Sequence, residues 1–99
     1  MTILRIEHPV PDFDAWKRAF DSDPIGRERG GVRRYRVLRG LEDPSYVMID
    51  LEFDRSSEAE AFLLALRELW GRVDVMRDPK ARIAEVVESE ELGARAGAA

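Results

Sequence analysis

The sequence predicts one α+β domain in which four antiparallel strands and two helices follow one another in the order βαββαβ. Apolar and polar residues alternate over Tyr46–Phe53, as in a half-buried strand. Aromatic residues also recur at helical spacing soon after the first apolar segment: Phe13, Trp16 and Phe20. Because 99 residues are too few to cover both faces of a sheet, we expect both helices on one face.

The first half of the chain has the pattern of a strand, a helix and a second strand. Apolar residues alternate over residues 2–7, and two nearby prolines, which cannot donate to a ladder, end that strand. Asp12 can cap a helix over residues 13–22, because its carboxylate can accept hydrogen bonds from first-turn amides. A polar, glycine-containing connection then leads to the strand Val32–Arg39.

The second half repeats the strand and helix pattern. After the strand Tyr46–Phe53, a wide apolar stripe predicts a helix that opens at Ser56 or Ser57. Ser57 and Glu60 have the spacing of a capping box, and Gly71 is expected to end the helix.

The last strand is predicted over residues 81–88, with imperfect alternation. Residues 89–99 are acidic and then small, so they offer too little apolar surface to offset the entropy of ordering them. We therefore expect a single domain over residues 1–88 and a mobile C-terminal tail.

Strand alternation also predicts which side chains share a sheet face. Tyr35 and Val37 are expected to pack against the helices, together with the apolar positions of the third strand. The opposite, open face is predicted to carry Arg5, Glu7, Val32, Arg34, Arg36, Leu38, Tyr46, Met48, Asp50 and Glu52. Apolar burial alone would not hold so charged a surface against a partner, so we expect arginine–carboxylate pairs across it.

Composition excludes several classes of chemistry. The chain has no cysteine, which excludes disulfides, thiol catalysis and thiolate metal sites. One histidine and scattered carboxylates give no cluster at metal-ligand spacing, so no metal is predicted. Neither a phosphate-binding glycine-rich loop nor a nucleophilic triad can be assembled from the residues present.

Charge and hydropathy bear on partners and location. A net charge of −4 argues against nucleic-acid binding. Of the six arginines between residues 27 and 39, several alternate along a strand and are expected to face Asp50, Glu52 or Glu85 on neighbouring strands. No apolar stretch is long enough to cross a membrane. Charged residues come too early in the chain for a secretory signal, so we expect a cytoplasmic protein without a membrane partner.

Three segments resemble the dimeric α/β-barrel superfamily, which has a ferredoxin-like fold: HPVPDFDAWK (residues 8–17), GGVRRYRV (30–37) and DPSYVMIDLEFD (43–54). The resemblance extends over residues 1–88. It implies a homodimer whose two open sheet faces pack back to back. Members include cofactor-independent monooxygenases of antibiotic biosynthesis, haem-degrading enzymes and many uncharacterised proteins. The haem-degrading branch fits poorly, because it needs a histidine late in the sequence and this chain has only His8.

The resemblance also implies a pocket between the sheet and the helices. Its candidate lining residues are Trp16, Phe20, Tyr35, Phe62, Trp70 and Met76, although all six could instead be core. As catalytic candidates, Tyr35 and Trp70 would orient an aromatic ring. His8 would act as a general base or, like an arginine, stabilise a developing oxyanion. No cofactor is expected, because in such enzymes an electron-rich substrate reacts with oxygen itself.

Three functions remain open at this point. The first is a cofactor-independent monooxygenase acting on an aromatic or polyketide-like molecule, and the second is a non-catalytic dimeric ligand-binding or interaction module. The third is an isomerase or cyclase, for which Asp50 and Glu85 are the nearest carboxylates, both expected at the dimer interface. A pocket of about 300 Å³ that touches Trp70 and His8 would favour the enzyme, whereas a filled core would favour the module.

Overall fold

The computed structural model describes residues 1–72 and 79–93. Its elements are β1 (Thr2–Pro9), α1 (Phe13–Asp21), β2 (Val32–Arg39), β3 (Tyr46–Phe53), α2 (Ser56–Trp70) and β4 (Lys80–Glu85). The predicted βαββαβ order is confirmed. Met76 and residues 94–99, the end of the predicted tail, lie outside the described residues.

The four strands form one antiparallel sheet in the order β2-β3-β1-β4. This order, with two crossover helices, is the ferredoxin-like arrangement that the sequence predicts. Strand β4 is shorter than predicted. Its pairing with β1 ends where Glu85 lies opposite Thr2, because β1 begins there, and beyond it the Val86 N–H donates to the Met1 carbonyl.

Both helices pack on the same face of the sheet, as predicted. A single core joins Trp16 of α1 and Phe62 of α2 to alternate residues of the strands. The buried apolar side chains are Leu4, Ile6, Val10, Trp16, Val32, Val47, Ile49, Leu51, Phe53, Ala59, Phe62 and Leu63. Among residues 1–72 and 79–93, no helix has the length and apolar composition needed to cross a membrane.

The strand pairing shows that two residues predicted to lie on the open face of the sheet lie on its helix side. An irregularity between Val32 and Arg34 places Val32 opposite Phe53, so Val32 lies on the helix side and is buried, not on the open face. Glu85 lies opposite Thr2, which shares that same helix-side face, so Glu85 is not on the open face either. Both predictions were wrong because directly opposed residues share a face, and local alternation cannot show which residues are opposed.

The capping residue predicted for α1 is confirmed, but the one predicted for α2 is not. The Asp12 carboxylate accepts from the backbone N–H groups of Asp14 (3.0 Å) and Ala15 (3.4 Å), which confirms it as the N-cap of α1. The capping box predicted at Ser57 and Glu60 is wrong, because α2 begins at Ser56. There the Glu58 carboxylate accepts instead from the Arg55 backbone N–H at 3.2 Å.

Charged side chains on the open face pair within the chain. The Asp50 carboxylate receives two hydrogen bonds from Arg5 (2.7 and 2.8 Å) and one from Arg36 (3.2 Å). Hydrogen bonding from Arg5 is the main reason that the pKa of Asp50 lies below its ordinary value. Arg34 likewise pairs with Glu52 across strands at 3.3 Å. The predicted pairing of strand arginines with Asp50 and Glu52 is therefore present within one sheet.

Candidate functional site

A cavity of about 340 Å³ lies between the sheet and the two helices. Its sheet wall is made by apolar residues of β1 and β3: Ile6, Ile49 and Leu51. Its helix walls are made by Trp16, Ala19, Phe20, Phe62, Leu66, Leu69 and Trp70. The described residues leave this space unfilled, and its volume and apolar lining are within the range of small-molecule pockets.

The connection between α1 and β2 forms one end of this cavity through Pro24 and Ile25. Its path depends on residues with positive φ, including Gly26 at +88° and the non-glycine Asp23 at +50°. Farther along, Gly30 lies against Phe62 so closely that a Cβ there would be 2.5 Å from the ring. The connection is thus held against α2 at the edge of the cavity.

Among the described lining residues the cation is Arg27, and its guanidinium has contacts on several sides. The guanidinium carbon lies 4.0 Å from the Phe20 ring centroid and 4.8 Å from that of Tyr35, both cation–π contacts. Nη1 donates to the Phe20 carbonyl at 2.8 Å. The Asp23 carboxylate accepts from the Arg27 backbone N–H at 2.9 Å but is 3.8 Å from Nη1. Only 17% of the Arg27 side chain is exposed.

His8 is fully buried at the end of β1, opposite Val47. Its ring packs edge-on against Trp16, with ring centroids 5.9 Å apart. Nδ1 lies 3.1 Å from the Pro9 carbonyl, which can only accept, so the proton of the neutral ring is on Nδ1. Nε2 is buried and has no hydrogen-bond partner among the described residues. Burial lowers the pKa of His8 below its ordinary value.

Only some of the site residues predicted from the sequence line the cavity. Trp16, Phe20, Phe62 and Trp70 line the cavity. Tyr35 does not line it but contacts Phe20 edge-on at 5.3 Å, and it lines an open groove beside β2.

His8 is also absent from the cavity lining and reaches it only through its contact with Trp16. The predicted pocket therefore has the expected volume and includes Trp70, but it does not touch His8.

Sequence reasoning missed Arg27 as a cavity residue. The sequence predicts that several arginines of this region pair with carboxylates on neighbouring strands, but Arg27 precedes β2. A signal was present: Arg27 directly follows Pro24, Ile25 and Gly26, an apolar and turn-forming segment too irregular to be a strand. Within residues 1–72 and 79–93, no group of three or more potential ligand side chains could hold a metal ion.

The chain matches no protein-family model and no curated protein. Several solved structures are similar in fold. A proposed antibiotic biosynthesis monooxygenase from Nitrosomonas europaea is 18% identical with a TM-score of 0.65, covering 89% of this chain and 100% of that one. A point mutant of MhuD, with two manganese protoporphyrin IX molecules bound per active site, is 13% identical with a TM-score of 0.68, covering 92% and 99%.

A third similar structure is a dimeric ferredoxin-like protein from an uncultured marine organism. It is 9% identical with a TM-score of 0.66, and the alignment covers 92% of this chain and 99% of that one. At these identities the comparisons establish the ferredoxin-like fold of the chain.

Proposed function

We propose that this chain binds an aromatic or polyketide-like small molecule in the cavity beneath its helices and oxidises it with molecular oxygen without a cofactor. The observation that carries the proposal is the apolar cavity itself, about 340 Å³ and lined by both tryptophans of the chain. The similarity in fold to a proposed antibiotic biosynthesis monooxygenase supports a monooxygenase function.

The proposed reaction needs a substrate with an acidic CH₂ group beside a phenolic ring. Loss of a proton gives a carbanion that reduces O₂, so that the CH₂ group becomes a carbonyl and the second oxygen atom leaves as water. The substrate supplies all four electrons. The apolar walls would hold the rings, with Trp70 stacking on them.

His8 Nε2 is the proposed base, since its lone pair is unprotonated in the neutral tautomer described above. Because His8 lies behind Trp16 and not on the cavity wall, the proposal includes a movement of the Trp16 indole that opens Nε2 to the bound molecule. Tyr35 contributes by fixing Phe20, which does line the cavity.

We further propose that the working form is a homodimer joined through the open sheet face. Both helices lie on the other side, so the face with Asp50, Arg5 and Arg36 has no helical cover among the described residues. A similar fold is found as a dimer in the marine protein. A second copy would shelter this face and extend its ion pairs.

Oxygen uptake and ligand binding test the proposed activity together. The purified chain is incubated with a panel of electron-rich polycyclic phenols in an oxygen electrode, and binding is followed by quenching of tryptophan fluorescence. His8→Ala is expected to bind but to consume oxygen at least about tenfold more slowly. Leu66→Phe, which places bulk in the cavity, is expected to lose binding, whereas Leu64→Phe on the exposed side of α2 is expected to keep it.

A non-catalytic ligand-binding module is the second candidate. It is favoured by the scarcity of ionisable groups on the cavity wall, where the described lining includes only Asp23 and Arg27. Binding across the panel without oxygen uptake, unchanged in His8→Ala, would support this module over the enzyme. Absence of both binding and uptake would reject both functions for this cavity.

A further inference from the structure

The position of Arg27 bears on which molecules the cavity can accept. Apart from Ser22, Asp23 and Arg27, the described residues that line the cavity are apolar. Such a cavity favours an apolar or aromatic body, but the charge of a mostly buried arginine side chain on its wall adds a requirement. A buried cation needs partners for its donors, and an anionic partner satisfies it best.

Arg27 lies where the apolar cavity meets an open groove on the surface. Asp23 and Arg27 line the apolar cavity, and both also line an open groove formed with Glu28, Val32, Arg33, Arg34 and Tyr35. On the cavity side the surroundings are rings and aliphatic chains, and on the groove side they are charged and open to solvent. A molecule reaching from one space into the other would pass the guanidinium.

The guanidinium has donors left for such a molecule. The guanidinium has five N–H groups. Among the described residues, one of them, on Nη1, donates a hydrogen bond to the Phe20 carbonyl. Nε and Nη2 donate to no acceptor among the described residues, and the Asp23 carboxylate at 3.8 Å is beyond hydrogen-bond distance from Nη1. The flanking rings of Phe20 and Tyr35 fix the plane of the group, so its remaining donors have a defined direction.

The other arginines of the groove lie closer to a carboxylate than the 3.8 Å that separates Arg27 Nη1 from Asp23. Arg33 lies 3.4 Å from Asp54, and Arg34 lies 3.3 Å from Glu52. Both side chains are mostly exposed, whereas that of Arg27 is mostly buried. Arg27 is therefore the groove cation best placed to bind an anion out of water.

We infer that the natural ligand is amphipathic, with an aromatic body in the cavity and a carboxylate that Arg27 binds at the junction with the groove. This inference rests on the proposed function, because it assumes that the cavity is a ligand site. A planar carboxylate matches the fixed guanidinium plane through two parallel N–H···O bonds. Polar substituents beyond the carboxylate would lie in the open groove.

The test compares 2-naphthoate with its neutral methyl ester by isothermal titration calorimetry at pH 7.5. The two probes share the same rings and differ in charge. The wild-type chain is expected to bind the acid at least about tenfold more tightly than the ester. Arg27→Gln is expected to abolish this preference while still binding the ester. Arg33→Gln changes an arginine that lines only the groove and is expected to keep the preference.

Each outcome decides a different point. Equal affinity of the wild-type chain for acid and ester would overturn the inference about Arg27 and leave the cavity as a ligand site. A preference that survives in Arg27→Gln would overturn it as well, even if the wild type prefers the acid. Binding of neither probe would overturn both the inference and the proposed function. The wild-type comparison needs no variant, so it decides the question even if Arg27→Gln fails to fold.

Discussion

Asp50 shows how a carboxylate comes to be buried on the uncovered side of the sheet. It is 2% exposed although no apolar side chain of the core covers it, because Arg5 and Arg36 lie over it from both neighbouring strands. Its charge is balanced by hydrogen bonds from two guanidinium groups. The side chain therefore helps fix the register of β1, β3 and β2 together.

Asp50→Asn is expected to lower the free energy of unfolding by about 1–2 kcal/mol, because it weakens the charge-assisted hydrogen bonds that Arg5 and Arg36 make with the carboxylate. The matched control is Asp54→Asn, whose carboxylate pairs with Arg33 where both side chains are exposed. That change is expected to lower the free energy of unfolding by less than about 0.5 kcal/mol. Urea unfolding at one fixed protein concentration measures both, and equal losses would contradict this account of Asp50.

His8 makes the stability of the fold depend on pH. Its pKa is lowered in the folded chain by burial, so as pH falls below about 6.5 the unfolded chain takes up the proton first. The free energy of unfolding is then expected to fall between pH 7.5 and pH 5.5, by at most about 1.4 kcal/mol per pH unit.

His8→Phe is the variant that isolates this effect, since it keeps a ring against Trp16 but cannot titrate. The difference between the free energies of unfolding at the two pH values is expected to be smaller in this variant than in the wild type. Carboxylates titrate alike in both proteins, and His8 is the only histidine. An identical pH dependence in the two proteins would show that His8 is not responsible.

At the scale of the elements, the connection from α1 to β2 is held against α2 by two glycines. Gly31 has φ +99°, and a Cβ there would lie 2.8 Å from the Glu58 carboxylate. Gly30 lies against Phe62, which packs on Phe53 in the core and also lines the cavity. The close packing of this connection on α2 therefore positions Phe62, both in the core and on the cavity wall.

Gly30→Ala is expected to destabilise the chain by about 1–3 kcal/mol, because its Cβ would overlap the Phe62 ring and force the loop or the ring to shift. Gly71→Ala is the control, since a Cβ at this helix end would meet backbone atoms no closer than 3.5 Å and the glycine has φ −70°. It is expected to be neutral or stabilising by up to about 1 kcal/mol. Thermal unfolding followed by circular dichroism compares them, and a Gly30→Ala melting temperature equal to that of the wild type would refute the close contact.

At the scale of the whole molecule, the sheet separates two surfaces with different roles. One side carries the core and the cavity, and the other carries paired charges with a few apolar side chains, among them Met48 opposite Leu38. The proposed dimer follows from this separation, because the second side has no helix over it among the described residues. A copy packed there would leave the mouth of each cavity on the outer side.

Light scattering on the eluting protein tests this assembly, with a mass of two 11.3 kDa chains expected. Met48→Glu adds a negative charge in the middle of the open face. It is expected to shift the protein to monomer, because burying an unpaired carboxylate in the interface costs free energy. Leu64→Glu adds the same charge on an exposed position of α2 and is expected to remain dimeric. A wild-type monomer, or a dimer that survives Met48→Glu, would contradict the proposed interface.

Sequence alone determined the order of the elements, the cap at Asp12 and most of the sheet faces. These properties follow from local periodicity and local hydrogen bonding, which neighbouring residues specify by themselves. The aromatic stripe of α1 also arises within a few residues, so it can be predicted without a tertiary structure. The end of β1 was predicted too early, because the strand continues through Pro9, which lies opposite Tyr46.

Only the tertiary structure decided the register irregularity beside Val32, the burial of His8 and the place of Arg27 on the cavity wall. Such an irregularity depends on which residues of two strands lie opposite one another. A cavity is the space left after side chains from strands, helices and a loop have packed, so no single segment encodes it. Arg27 acquires its proposed role because Phe20 and Tyr35, from a helix and a strand, meet on either side of it.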